Sequence, residues 1–425
     1  MNNVHKYERM NAWQAFQKNF FGDISAEPYP RQRRCTKHVK LTNFIPPIAE
    51  LAPKLAALRR QARDFLADEH ASGGYTRTAA GWDRYDPAFS RKVAAKGWIG
   101  MTWPRQYGGQ ESSYLERYVV AEELLAAGAP VRAHWLADRQ IGPLLLAVGT
   151  EKQKSEILPL IAKGECYICV GLSEPDSGSD LSSIRTKATK VDGGWLVEGT
   201  KVWTSYAHMA HKMNLFARTS ARTEADRHAG VTQFMVDLKT EGITIRPIYN
   251  LADDHDFNEV IFDRVFLPED AVIGKVDGAW SQVTGELAHE RSGSERWMNA
   301  YGLLVALVDH IGKGATEYDA EQVGRLVAHL STLHQMSFSI AGLLERGESP
   351  MVEAALVKDL GTHLDQEIPA VARRVVPEWA RASLDPADGF HDMLARAILY
   401  APSHTIRGGT AEILRGIIAR GLGLR

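Results

Sequence analysis

The chain has 425 residues, 44% of them hydrophobic and 24% charged, with a formal net charge of −2. That length supports two or three domains with sizeable cores. The near-neutral balance excludes a general pull toward nucleic acid or an anionic membrane surface, and no apolar run approaches the ~20 residues of a membrane span. The N-terminus lacks an apolar h-region, so no secretory signal is expected. Three cysteines, Cys35, Cys166 and Cys169, make no disulfide framework. A cytoplasmic location is the resulting expectation.

Residues 1–45 read as an N-terminal arm. Arg31, Arg33, Arg34, Lys37 and Lys40 cluster there between prolines, and Trp13, Phe16, Phe20 and Phe21 suggest a short docking helix. Residues 46–165 read as a helical domain. Leu51, Leu55, Leu58, Ala62 and Phe65 fall on one helix face. Further helices are expected near Pro87–Lys96, at 113–128, near 139–148 and at 151–163. Trp103-Pro104-Arg105-Gln106-Tyr107-Gly108-Gly109 makes a dense loop between them.

From 166 to 275 the period changes to strands, at 166–172, 186–191, 195–203, 213–218, 231–237, 243–249 and 257–266. Turn residues between them predict an antiparallel barrel or sandwich. From 276 to 425 helices return, at 278–311, 320–346, 351–381 and 388–398, with a last one after Gly408-Gly409-Thr410. Helices, then strands, then helices exclude a doubly wound sheet. No strand–GxGxxG–helix unit and no GxxxxGK[ST] occurs, which leaves nicotinamide and P-loop chemistry unsupported. Cys166 and Cys169 lie in an apolar strand pattern. Residues three apart there face opposite ways, so neither a redox pair nor a zinc site is expected.

The informative stretch is Ser173 to Ser205. It opens with Ser173-Glu174-Pro175-Asp176-Ser177-Gly178-Ser179-Asp180, turns at Asp192-Gly193-Gly194 and closes with Lys201-Val202-Trp203-Thr204-Ser205. Pro, Asp and Gly make a turn with small hydroxyl and backbone N–H donors, which suits a phosphate or the edge of a polar heterocycle. The second segment ends a strand with a large flat ring beside hydroxyls. Such turns and strand-end rings also occur as plain structure.

The run G-L-S-E-P-D-S-G-S-D, with R-T-K-A and G-T-K-V-W-T-S after it, closely resembles the flavin-binding signature of acyl-CoA dehydrogenases, and the resemblance spans roughly residues 48–425. It implies an α+β multidomain fold: an N-terminal helical domain, a central antiparallel β-domain and a C-terminal four-helix bundle, with FAD between the last two. It implies that Val170, Leu172 and Ser173 meet the flavin's pyrimidine edge. Gly178 and Ser179 would lie near phosphates and the CoA moiety, Trp203 would cover the ring, and Ser205 would bond near N5. Gly409-Thr410-Ala411-Glu412-Ile413 resembles the family's C-terminal turn, in which Thr410 and Glu412 reach the FAD.

The implied chemistry is α-proton removal from an acyl-CoA thioester with hydride transfer to flavin, yielding a trans-2-enoyl-CoA. Many members carry their base carboxylate immediately before the C-terminal Gly-Thr. Here that residue is Gly408, which supplies no base. A second branch places a Glu before an Arg on the first helix of the bundle. Glu290 matches that base and Arg291 its neighbour on the CoA side. Glu286, one turn earlier, shares a face with Glu290 or points to solvent, and His289 faces elsewhere. The family's R-x-x-F-G and Q-x-x-G-G segments are absent, so no residues are named for cofactor contacts across subunits. The resemblance further implies an electron-transfer flavoprotein as acceptor and a homo- or heterotetramer. Alternatives are a flavin monooxygenase or oxidase of the same fold, and a partner subunit of a heteromeric, steroid-type acyl-CoA dehydrogenase.

Overall fold

The computed structural model describes residues 52–78, 84–222, 226, 228–282, 293–376 and 389–424, all within the unit Phe44–Arg425. The expectations for the arm at 1–45, Leu51, Glu286, His289, Glu290, Arg291 and residues 377–381 lie outside them.

The N-terminal layer is helical. Helix α1 (Pro53–Ala71) begins at a tolerated first-turn proline and buries Leu55, Ala62 and Phe65, with Leu58 half-buried. Helix α2 (Pro87–Ala95) is capped by Asp86, whose carboxylate accepts from the Phe89 N–H at 2.9 Å. Helix α3 (Tyr114–Ala126) starts at a capping box of Ser113 and Glu116. Then follow α4 (Arg132–Leu136), a π turn (Ala137–Ile141), α5 (Gly142–Val148) and α6 (Glu151–Ala162).

The helix expected near 139–148 therefore starts earlier and contains a π turn. Pro143 has no N–H to offer the carbonyl one turn back, and the wider turn absorbs that defect. The Trp103 loop is a packed turn. Trp103 is buried, and a Cβ at Gly100, Gly109 or Gly142 would run into it.

The middle layer is one eight-stranded sheet: β1 (Ile168–Gly171), β2 (Lys187–Val191), β3 (Gly194–Ser205), β4 (Lys212–Arg218), β5 (Val231–Asp237), β6 (Ile243–Ile248), β7 (Phe257–Pro268) and β8 (Val272–Ile273). The order is β6-β7-β3-β2-β4-β5-β8, with β1 against β4. Most pairings are antiparallel, but β1 runs parallel to β4, and β2 meets β4 in parallel at Lys187 and Arg218. The antiparallel expectation holds for most of the sheet; alternation within a strand does not reveal these parallel contacts, because it reports which face is buried, not the direction of its neighbour. Trp195, Val197, Met213, Leu215, Phe234, Val260 and Phe262 form the core on this sheet.

The C-terminal layer comprises α7 (Tyr301–Ile311), α8 (Glu317–Glu345), α9 (Met351–Val375), α10 (Phe390–Tyr400) and α11 (Ala411–Gly421). The single helix expected over 278–311 is broken. Gly293 is extended (φ −75°, ψ 161°), a 3-10 turn covers Ser294–Arg296, and α7 starts only at Tyr301. Ser-Gly-Ser propagates a helix poorly, and a side chain at 293 would collide with Arg139 and Glu295. Leu55, Tyr118, Val119, Phe338 and Ala341 join α1, α3 and α8 in a second core. No helix among the described residues is long and apolar enough to cross a membrane.

Candidate flavin site

The signature stretch is assembled by β1 and β3. Residues 192–193 turn the β2–β3 hairpin, with Val191 opposite Gly194 and Gly193 at φ 72°. Val170 is half-buried near the end of β1; Leu172 and Ser173, just past it, are also half-buried. The Val202 N–H donates to the Ser173 carbonyl at 2.9 Å, so the two ends of the motif lie edge to edge.

A buried ion pair fixes this junction. Lys201 Nζ donates to Glu174 Oε1 at 2.8 Å and to the Leu172 carbonyl at 3.0 Å. The same carboxylate accepts from the Arg185 and Thr186 N–H groups at 2.6 and 2.8 Å. Burial pushes the Lys201 ammonium down to about 8 against the opposing pull of Glu174. Burial would raise the Glu174 carboxyl, but Lys201 and the donors around it outweigh that and hold it below its usual range.

Neither residue stands out in the turn-and-ring pattern. A signal was present nonetheless. Lys201 shares strand parity with buried Trp195 and Val197, and a lysine on a buried face requires a counter-charge.

Trp203 stands out from the sheet. The β3–β7 register slips between Lys201 and Thr204, and Trp203 adopts φ 59° at that bulge. The residue is 59% exposed, and its ring meets Phe257 edge-on at 5.9 Å between centroids. A non-glycine residue at positive φ costs about 1–3 kcal/mol and gathers at functional sites. Ser205 is half-buried and pairs with Phe257. Gly178 and Ser179 are exposed, and a Cβ on Gly178 would meet nothing within 4 Å. An uncovered indole beside a half-buried rim of Val170, Leu172, Ser173 and Ser205, with an open Gly-Ser turn alongside, fits a flat ring bearing phosphates.

The C-terminal turn is built separately. Gly408 and Gly409 take φ 68° and 98°, and Thr410 caps α11, its hydroxyl accepting from the Ile413 N–H at 3.4 Å. Glu412 is exposed in the first turn of α11, and its own backbone N–H and the Thr410 hydroxyl hold its carboxyl below the usual range. Among the described residues, the hydrogen bonds of Thr410 and Glu412 stay within that turn. Arg296 packs on Gly408: a Cβ there would lie 2.8 Å from its Nη1. Nearer β3, Tyr400 donates to Asp254 and Asp256 at 2.8 and 2.9 Å, tying α10 to the loop before Phe257.

Cys166 and Cys169 are both buried and unbridged, and burial pushes their thiols up to about 11 and about 12. Neither is a reactive thiolate near neutral pH.

Helices flank a mostly antiparallel sheet, and an exposed strand-end indole stands beside a Ser-Gly-Ser turn. Residues 53–165 match the family model of the acyl-CoA dehydrogenase N-terminal domain, and residues 169–265 that of the middle domain. The chain is 34% identical over 341 residues to acyl-CoA dehydrogenase FadE34 of Mycobacterium tuberculosis, a match covering 79% of this chain and 46% of that protein. It is 32% identical over 382 residues to acyl-CoA dehydrogenase IpdE1 of the same organism, covering 86% and 97%. Among solved structures, the Tcur3481-Tcur3483 steroid ACAD superposes with a TM-score of 0.79 at 25% identity, covering 89% of this chain and 100% of that one. The chain belongs to the acyl-CoA dehydrogenase family of FAD-dependent oxidoreductases.

Proposed function

We propose that the protein desaturates an acyl-CoA thioester to a trans-2-enoyl-CoA. The observation that carries this reading is the Val202–Ser173 hydrogen bond, which sets the Ser173–Ser179 turn beside the uncovered Trp203 ring. In this reading Val170, Leu172 and Ser173 hold the flavin's pyrimidine edge and Trp203 covers one face of the ring. Ser205 bonds near N5, Gly178 and Ser179 take phosphate and CoA oxygens, and Thr410 and Glu412 reach the cofactor from α11. Bound FAD supplies the hydride acceptor.

The chain's own task is the proton. An α-proton beside a thioester is weakly acidic, so its removal needs a carboxylate in a dry site. Gly408 offers none, and Arg296 occupies the space a side chain there would enter. We assign the base to Glu290 and place Arg291 on the CoA side. Donors to the thioester carbonyl would stabilise the enolate-like charge that develops.

Likeness to a steroid ACAD formed by two differently named proteins favours a bulky acyl group and assembly with like or unlike subunits. An electron-transfer flavoprotein is the proposed acceptor.

The test is anaerobic. Purified protein carrying FAD is mixed with straight-chain, branched and ring-bearing acyl-CoAs. Bleaching of the flavin band with an enoyl product two mass units lighter supports the reading. Bound flavin that no thioester bleaches, but that, once reduced chemically with dithionite, reacts with oxygen to give a hydroxylated product and water, overturns it in favour of a monooxygenase.

A further inference from the structure

The π turn at Ala137–Ile141 carries two successive charged residues, Asp138 and Arg139, of which Arg139 lines the space between α3, α8 and Gly293. π turns recur at functional sites because the extra residue re-aims the side chains after it. Asp138 accepts from the Gly100 N–H at 2.7 Å and lies 3.8 Å from Arg117 Nη2. Arg139 lies over the Trp135 ring at 4.9 Å, and its Nε stands 3.4 Å from Glu295 Oε1. Burial holds the Arg139 guanidinium down at about 10. The crevice between these elements is lined by Arg117, Arg139, Tyr118, Gly293, Ala341 and Leu344, among others.

The polar atoms here are incompletely served. Arg117 is 9% exposed, and its Nη2 is buried without a hydrogen-bond partner among the described residues, as are Arg139 Nε, Ser294 Oγ and Glu295 Oε2. The two carboxylates are charge partners at distances too long for good hydrogen bonds. Buried guanidinium N–H groups left in that state call for another acceptor. The crevice encloses about 20 Å³, room for one small oxygen group or one water. Ala341 and Leu344 provide an apolar wall beside it.

We propose that this crevice is the far end of the acyl site, and that Arg117 and Arg139 receive a carboxylate or ring-ketone oxygen carried by the acyl group away from its thioester. The assignment rests on the dehydrogenase reading above and names the substrate class for it. Gly293, which lines the crevice, follows the proposed base, Glu290, by three residues in the chain. A plain alkyl end would leave the guanidinium N–H groups unserved and displace any water that serves them. Sites built to bond a substrate's polar group discriminate strongly against the analogue lacking it.

The test compares CoA thioesters of matched size, ending in a methyl, a carboxylate or a ring ketone, on FAD-loaded wild type, Arg117→Met and Arg139→Met. Anaerobic flavin reduction gives kcat/KM, calorimetry gives binding, and flavin content with the urea midpoint reports folding. One oxygen-bearing ester should be favoured roughly a hundredfold or more in the wild type. Each variant should lower kcat/KM for that ester by about as much while leaving the methyl ester within a few-fold. If a Met variant does not hold flavin, Arg117→Lys and Arg139→Lys carry the test, with the same preference falling more than tenfold. Equal use of all esters by the wild type, or equal loss of all esters in folded variants, overturns the proposal and leaves the crevice as the seat of an ordered water. If no ester reduces the flavin but an oxygen-bearing one alone binds in an Arg117-dependent way, the dehydrogenase reading fails and this assignment stands.

Discussion

Lys201 and Glu174 meet at 2.8 Å inside the protein, with side-chain exposures of 0% and 6%. Lys201 also holds the Leu172 carbonyl, and Glu174 also holds the N–H groups of Arg185 and Thr186. Several separate points on the backbone of the candidate flavin site therefore converge on one pair of charges. Breaking a buried pair from one side leaves an uncompensated charge, at a cost of about 3–5 kcal/mol. Lys201→Met and Glu174→Gln should each destabilise the protein by about that amount and lower the FAD retained on purification. The double variant should cost less than the sum. Urea unfolding and the flavin-to-protein absorbance ratio check this; two independent, additive losses would contradict it.

The same pair makes a pH prediction. The Lys201 pKa is about 8 when folded against a reference of 10.5. Between those values the unfolded chain holds a proton that the folded chain has released, so this group's contribution to stability rises with pH across about 8 to 10.5. The slope approaches about 1.4 kcal/mol per pH unit at most. Urea midpoints at pH 8, 9 and 10 should show a rising component in the wild type that Lys201→Met lacks.

Trp203 separates stability from function. Its φ of 59° favours glycine, so Trp203→Gly should relieve backbone strain of about 1 kcal/mol or more. Little buried area is lost, because the residue is already 59% exposed. The protein should melt no lower, yet bind FAD more weakly and with a shifted flavin spectrum. A large drop in melting temperature would show that the ring serves packing instead.

The helical layers, most strand limits and the Ser173–Ser205 stretch were legible because periodicity and turn chemistry are local. What escaped was set by distant neighbours. The parallel seat of β1 depends on β4, some forty residues on. The break at Gly293 depends on Arg139, and the Lys201 partnership on a turn twenty-seven residues earlier. Strand parity with Trp195 and Val197 is the local signal that would have marked Lys201 as buried, and it does not name the partner.

Gly408 gives a prediction about where the base resides. Its φ is 68°, and a Cβ added there would lie 2.8 Å from the Arg296 guanidinium, so both oppose any side chain. Gly408→Ala should cost about 1–2 kcal/mol. Gly408→Glu placed in Glu290→Gln should not restore flavin reduction. Recovery of turnover would show that the slot remains open to a carboxylate.

Single-turnover flavin reduction decides whether Glu290 removes the α-proton. Wild type and Glu290→Gln, matched for FAD content, are mixed anaerobically in a stopped-flow instrument with the acyl-CoA that best bleaches the wild type. The predicted result is a fall of at least about a hundredfold in the reduction rate, with thioester affinity little changed. Reduction at the wild-type rate in Glu290→Gln would contradict this role and move the base elsewhere in the chain or to a partner subunit.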